Sequence, residues 1–238
     1  MSAEYLNRFD PEHQRPEDRV STQQRTDVKT HQMSMRGPTI TALLLAGGAS
    51  SRMRGSDKLL EPIDGTPLLT RVARTCLSAE VDRVCVILPP DRPARADALD
   101  DLPVDTLFNN GSGLGLSHSL QTGLSNVTTD AVLIILADLP DLTTADLNAV
   151  IYAARDTDAV VVRGATKDGR PGHPVLVRAA LFPELMRTKG DAGAQPVLKA
   201  HVADTVLVPL PGQHALSDLD TPEDWEAWRA ARQDAKND

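Results

Sequence analysis

Between Leu45 and Lys58 the chain reads Leu45-Ala46-Gly47-Gly48-Ala49-Ser50-Ser51-Arg52-Met53-Arg54-Gly55-Ser56-Asp57-Lys58. Small residues let backbone N–H groups come close to an anion, and Arg52, Arg54 and Lys58 supply positive charge around it. The string is neither G-x-G-x-x-G nor G-x-x-x-x-G-K-[ST], so it is not the usual dinucleotide or P-loop pattern. A Gly-rich turn with surface bases would explain Gly47-Gly48 alone. Three cations close together in a net-acidic chain are better explained by phosphate binding. Two acidic positions complement this loop. Asp138 follows the apolar run Val132–Leu136, and Asp220 lies behind Asp218 near the C-terminus. One or two carboxylates together with substrate phosphates are a donor set that suits Mg2+, so Asp138, with a second carboxylate cluster downstream, is the candidate metal ligand. Each also has an ordinary explanation. Asp138 fits a turn that caps a backbone N–H, and Thr221-Pro222-Glu223 after Asp220 is a good helix start. Among six histidines, His173 stands out because Gly172 and Pro174 hold it in a rigid turn suited to positioning a ligand. Asp191, in Gly190-Asp191-Ala192-Gly193, has the same standing.

The elements that must carry these residues alternate in type. Ile40–Leu45, Val84–Leu88, Val104–Phe108, Val132–Leu136 and Ala159–Val162 are short apolar runs of the kind that form parallel strands buried on both faces. Between them Pro67–Ala79, Pro93–Asp100, Ser117–Leu124 and Thr144–Arg155 have helical patterns, with Pro67 in a first turn and Thr143 as an N-cap. The expected fold is a single α/β domain, a Rossmann-like open and mostly parallel sheet with helices on both faces. Lys167-Asp168-Gly169-Arg170 predicts a small β-hairpin in the C-terminal half, leading into Pro174–Val177. The chain closes with a strand, Thr205–Pro209, and a helix, Pro222–Ala235. In such sheets ligands collect at the carboxyl ends of strands, where the Gly-rich loop and Asp138 both fall.

Composition narrows the class further. The 238 residues include 25 Lys and Arg against 33 Asp and Glu, a formal net charge of −8, and 41% are hydrophobic. This supports a globular protein. An acidic chain with two Trp, two Tyr and three Phe lacks both the basic footprint and the stacking platforms of a nucleic-acid binder. No apolar run is long enough to cross a bilayer, and a cytoplasmic location is expected. Cys76 and Cys85 are the only cysteines, so neither a disulfide framework nor a Cys-rich zinc site is available; both are expected buried. Trp225 and Trp228 share a face of the last helix and are expected in the core. Residues 1–36 are polar, without helical or strand period or a secretory h-region, and read as a disordered extension preceding a domain over 37–238. Met33 or Met35 is an alternative start.

Taken together, Leu45-Ala46-Gly47-Gly48-x-x-x-Arg52-Met53 and Asp57-Lys58-Leu59-Leu60 resemble the signature of MobA-like nucleotidyltransferases. Gly115-Leu116-Ser117-His118-Ser119-Leu120, Leu136-Ala137-Asp138-Leu139-Pro140 and Asp218-Leu219-Asp220-Thr221-Pro222-Glu223-Asp224 follow in the family's order. Gly169-Arg170-Pro171-Gly172-His173-Pro174 and Gly190-Asp191-Ala192-Gly193-Ala194 resemble the branch that makes cytidylylated molybdenum cofactor. The resemblance spans roughly 39–229 and implies the nucleotide-diphospho-sugar transferase type of fold. It implies transfer of CMP from CTP to the terminal phosphate of molybdopterin, with pyrophosphate released and Mg2+ as cofactor. Arg52 and Lys58 would then hold the β- and γ-phosphates, and Asp138 would be the metal aspartate with Asp220 beside it. Backbone at Leu45, Ala46, Gly47, Gly48, Leu88 and Pro89 would hold the base, and Ser117 and Ser119 would close over it with His118 lining the pocket. Gly172, His173, Pro174 and Asp191 would face the molybdopterin substrate. A phosphate acceptor is already ionised, so no general base is required. A recipient molybdoenzyme or its chaperone is the implied protein partner. Gly47-Gly48 is a departure, because the cytidylyl branch more often has Leu-Ala-Ala-Gly and the guanylyl branch Leu-Ala-Gly-Gly. Guanylyl transfer from GTP, a sugar- or isoprenoid-phosphate nucleotidyltransferase, and a non-catalytic molybdopterin carrier remain as alternatives.

Overall fold

Short β-branched and Leu-rich runs build the centre of the domain. In a computed structural model, which describes residues 37–237, they form a seven-stranded sheet of order β5-β4-β1-β6-β8-β7-β9. Its strands are β1 (Ile40–Leu45), β4 (Arg83–Leu88), β5 (Asp105–Phe108), β6 (Ala131–Leu136), β7 (Val161–Ala165), β8 (Pro171–Arg178) and β9 (Thr205–Pro209). Only β8 runs antiparallel to its neighbours, β6 and β7. The expected hairpin is therefore present, with Gly169 at φ +84° in its turn. It is also part of the main sheet, since β8 inserts between β6 and β7. The expected tail at 1–36 lies outside the described residues. No described helix is long and apolar enough to cross a membrane.

Side chains alternate across β1, and each face is covered by helices. Ala42 and Leu44 face α1 (Leu68–Leu77), α4 (Thr144–Arg155) and Trp225 of α7 (Pro222–Asn237). Leu43 and Leu45 face α3 (Leu116–Leu124), α5 (Phe182–Leu185) and α6 (Gln195–Ala200). Gly123 is needed where α3 crosses β1, because a Cβ there would meet Leu43 Cδ1 at 2.3 Å. Cys76 and Cys85 are buried, as expected. Trp225 is 1% exposed and meets Trp228 edge to face at 5.9 Å between centroids.

Two helices differ in their bounds from the sequence expectation. Pro67 precedes α1 and belongs to a two-strand hairpin, β2 (Pro62–Ile63) and β3 (Thr66–Pro67), turning at Asp64 and Gly65 with φ 49° and 79°. The first helical amides, Leu68 and Leu69, donate to the carbonyls of Glu61 and Leu59, so the hairpin sets the helix start one residue later. The remaining helix, α2, spans Pro93–Asp97 and ends before Asp100. Thr143 caps α4 as expected, in a reciprocal box with Asp146.

Candidate functional site

Parallel strands β4, β1 and β6 bring their carboxyl ends side by side. The loop after β1, the end of β6 and the start of α7 meet there at one side chain. Lys58 Nζ donates to Asp138 Oδ2 and to Asp220 Oδ1, both at 2.5 Å. Its side chain is 11% exposed. Burial works against its charge, but the two carboxylates outweigh that cost and hold its pKa above the ordinary lysine value. Arg52 adds a hydrogen bond to the other oxygen of Asp220, and Arg54 pairs with Glu223.

Asp138 is a turn residue and Asp220 immediately precedes the cap of α7, and both are members of this cluster. Leu219 N donates to the Asp138 carbonyl at 3.2 Å, docking the C-terminal acidic segment against β6. Thr221 and Asp224 form a reciprocal cap at the start of α7, and Asp224 also accepts from Asp220 N at 3.1 Å. The cap fixes the backbone from which the Asp220 carboxylate reaches Lys58. Asp218 stands close by. Burial, followed by the negative charges of Asp138 and Asp220, pushes its carboxyl pKa up. Excess negative charge here favours a cation, and Asp138 Oδ1 is buried with no hydrogen-bond partner among the described residues. A buried carboxylate oxygen without a donor is costly, and a cation would satisfy it. No group of three or more His, Cys, Asp or Glu able to hold a metal occurs among the described residues. The donor set on offer is therefore the Asp138–Asp220 pair, completed by ligands the protein does not supply. That composition fits a magnesium ion carried with a phosphate substrate.

The residues expected to hold the base also converge. Ala46 N bonds the Ile87 carbonyl and Asn109 N bonds the Leu88 carbonyl, so the β1 loop, Leu88-Pro89 and the loop after β5 adjoin. Asn109 is fully buried and donates to Ser119 Oγ at 2.9 Å, while its own oxygen meets His118 Nδ1 at 2.5 Å and Gly111 N at 2.9 Å. A Cβ at Gly47 would lie 2.7 Å from Ser119 Oγ, whereas one at Gly48 would meet nothing within 4 Å. Only at the first of the two glycines would an added methyl press on a neighbour, the Ser119 hydroxyl that Asn109 holds. Ser117 is buried, with its hydroxyl unpartnered among the described residues. His118 and Ser117 border an open cleft of about 680 Å3 that continues to Arg187, Lys189 and Gly190.

On the other side, His173 and the turn at Ala192–Gly193 line one apolar pocket with Leu45, Leu136 and Leu198. The Gly-His-Pro and Gly-Asp-Ala-Gly strings, 18 positions apart from His173 to Asp191, are thus brought together. Asp191 faces the first turn of α3, where a Cβ at Gly115 would lie 2.5 Å from its Oδ1. Gly172 is needed for a close pass, because a Cβ would meet the Ala215 carbonyl at 2.1 Å. Pro174 is buried in β8. His173 Nδ1 approaches the Ile134 carbonyl at 3.3 Å, and burial depresses the imidazole pKa to about 4. It is a neutral ring at physiological pH.

Three residues of the site went unnoticed in the sequence, Asn109, Arg95 and Arg163, and Asp57 stood out only as part of a signature string. Asn109 precedes Asn110-Gly111 and reads as a turn. Arg95 sits on an Ala-rich helix and reads as a solvated base. Arg163 donates twice to the Gly172 carbonyl from inside an apolar strand. No local pattern marks a cation whose partners lie in another loop.

A model of the MobA-like NTP transferase domain matches residues 42–206. The chain belongs to this family. Among its relatives, the purine catabolism protein PucB of Bacillus subtilis is 29% identical over 83% of this chain and 99% of its own length. A probable molybdenum cofactor guanylyltransferase of Synechococcus elongatus is 34% identical over 78% of this chain and 96% of its own. The crystal structure of Rv0371c from Mycobacterium tuberculosis superposes with a TM-score of 0.71 at 25% identity, covering 81% of this chain and 98% of that one. The MobA-like signature strings are those that meet at Lys58 and at Ser119.

Two outcomes are expected from this geometry. Gly47→Ala forces its methyl group against Ser119 Oγ and lowers stability by about 1–3 kcal/mol, as overpacking does; adding Ser119→Ala restores most of it, measured by urea unfolding. An undiminished single variant would contradict the contact. For His173, the folded pKa of about 4 lies below the ordinary 6.5, so its stabilising contribution is complete above pH 6.5 and is lost as pH falls toward 4. His173→Gln therefore shows a flatter decline of unfolding free energy between those limits, and an equally steep decline would show that the ring is not held neutral.

Proposed function

We propose that this nucleotidyltransferase moves CMP from CTP to the terminal phosphate of molybdopterin and releases pyrophosphate. The observation that carries the choice of CTP is the position of Ser119. Gly47 lacks the methyl group usual in the cytidylyl branch, but the Ser119 hydroxyl, held by Asn109, stands 2.7 Å from where that methyl would be. In this reading that hydroxyl occupies the space beside the base, and Gly47-Gly48 does not by itself make room for a purine. Joining of the Gly-His-Pro and Gly-Asp-Ala-Gly strings around His173 supports a molybdopterin acceptor on that side.

In this reading an oxygen of the acceptor phosphate attacks the α-phosphorus, and the bond to the pyrophosphate oxygen breaks. Backbone around Ala46 and Gly47 receives the nucleotide, and Arg52 and Lys58 neutralise charge on the departing β- and γ-phosphates. Asp138 and Asp220 are the residues that would hold Mg2+, which supplies charge stabilisation to the phosphoryl oxygens when bound. The acceptor arrives ionised, so no side chain needs to remove a proton. Guanylyl transfer is the second reading, favoured by the Leu45-Ala46-Gly47-Gly48 form of the loop and by the 34% identical relative named for it.

Pyrophosphate release is measured with Mg2+ and molybdenum-loaded molybdopterin, comparing CTP with GTP. Release with CTP is expected, and release with GTP alone would move the protein to the guanylyl branch. Asp138→Ala is expected to lower the rate at least about a hundredfold while leaving the fold intact, in line with loss of one electrostatic stabiliser. A variant with full Mg2+-dependent activity would remove Asp138 from the metal site.

A further inference from the structure

Arg95 is the one fully buried cation among the described residues, at 0% exposure. It reaches from α2 into the loop after β1 and spends its donors there. Nη1 donates to the Ala46 carbonyl at 2.5 Å, and Nη2 donates to Ser50 Oγ at 3.0 Å. Nε and Nη2 grip the two oxygens of Asp57 at 2.8 and 2.9 Å, the fork geometry that only a guanidinium provides. Asp57 in turn accepts from Leu59 N and Ser50 Oγ, both at 3.1 Å. Burial alone would raise its carboxyl pKa, but Arg95 and these donors hold it below the ordinary value. Arg92 adds a bond to the Ala49 carbonyl at 2.6 Å. All the acceptors lie in 46–57, the segment that ends beside Lys58.

This loop does not hold its shape by local preference. Ser50 and Arg54, which are not glycines, adopt left-handed φ values of 51° and 52°, a conformation that persists only where the surroundings enforce it. A buried ion pair is also a poor device for stability alone, because well-packed apolar residues commonly do as well. We propose that Arg95 is a positioning residue for the triphosphate. Through Asp57, Ser50 and the Ala46 carbonyl, it sets the curvature of the loop that presents backbone N–H groups, Arg52 and Lys58 to the phosphates. This rests on the reading that 45–58 receives a nucleoside triphosphate.

The test is calorimetric titration of CTP and GTP, with Mg2+ and no acceptor, into the full chain and its variants well below their thermal midpoints. The wild type binds at least one nucleotide. Arg95→Lys keeps the charge but loses the fork, and it binds that nucleotide at least about tenfold more weakly, within the range that a small misplacement costs. Asp57→Asn is weakened similarly, and the double variant is no weaker than the poorer single one, because both changes release the same loop. In turnover, KM for the nucleotide rises while KM for the acceptor does not. A purely stabilising pair would lower the thermal midpoint and leave the affinity of the folded protein unchanged, and that result overturns the proposal. If Arg95→Lys does not fold, Ser50→Ala, which removes one partner, decides: nucleotide affinity lowered about two- to threefold supports the proposal, and unchanged affinity overturns it. A wild type that binds neither nucleotide defeats the nucleotide reading itself, an outcome distinct from wild-type binding that the variants share.

Discussion

Lys58 lies between Asp138 and Asp220, and the arrangement of the domain around that contact follows from it. The lysine comes from the loop after β1, one carboxylate from the end of β6, and the other from the cap of the last helix. Two partly buried negative groups facing each other would be unfavourable; a cation between them makes the cluster tolerable. Pairing of β1 with β6 brings the first two within reach. The bond from Leu219 N to the Asp138 carbonyl brings the third. The C-terminal helix is thereby tied to a centre that the first strand begins.

The same arrangement explains why the three cations of one loop have different tasks. Arg52 and Arg54 are largely exposed, at 69% and 72% of their side-chain surface, and engage acidic groups at the rim. Such exposed pairs contribute little on their own. Lys58 is enclosed, and its charge is fixed by its neighbours. Beneath them, Arg95 touches no acidic residue of the centre and acts only on the loop that carries the other three. A layered site of this kind separates the groups that face phosphate from the group that shapes the backbone.

Much of this was legible because the signals were local. Ile40–Leu45 and Thr205–Pro209 begin and end where the apolar runs do, since a strand covered on both faces has little else to define it. Asp138 was legible from its position directly after such a run, and Thr143 and Thr221 from their capping patterns. The hairpin at Asp64-Gly65 carried a readable turn pair but strands of only two residues, too short to show a period. Arg95, Asn109 and Arg163 were invisible for another reason. Apart from Gly111 N beside Asn109, their side-chain partners are 9 to 49 positions away, and a buried cation on a short helix has the same sequence pattern as a solvated one. The insertion of β8 between β6 and β7 likewise depends on tertiary packing that the hairpin turn does not encode.

The proposed transfer centre stands or falls on what binds between the two carboxylates when nucleotide arrives. Manganese binding, followed by the electron paramagnetic resonance of the free ion, reports this directly with the wild type, Asp138→Asn and Asp220→Asn in the presence of CTP. The account predicts that the wild-type chain with CTP binds manganese beyond what CTP alone sequesters, and that each variant loses most of that excess. Undiminished binding in both variants would contradict it and place the metal elsewhere.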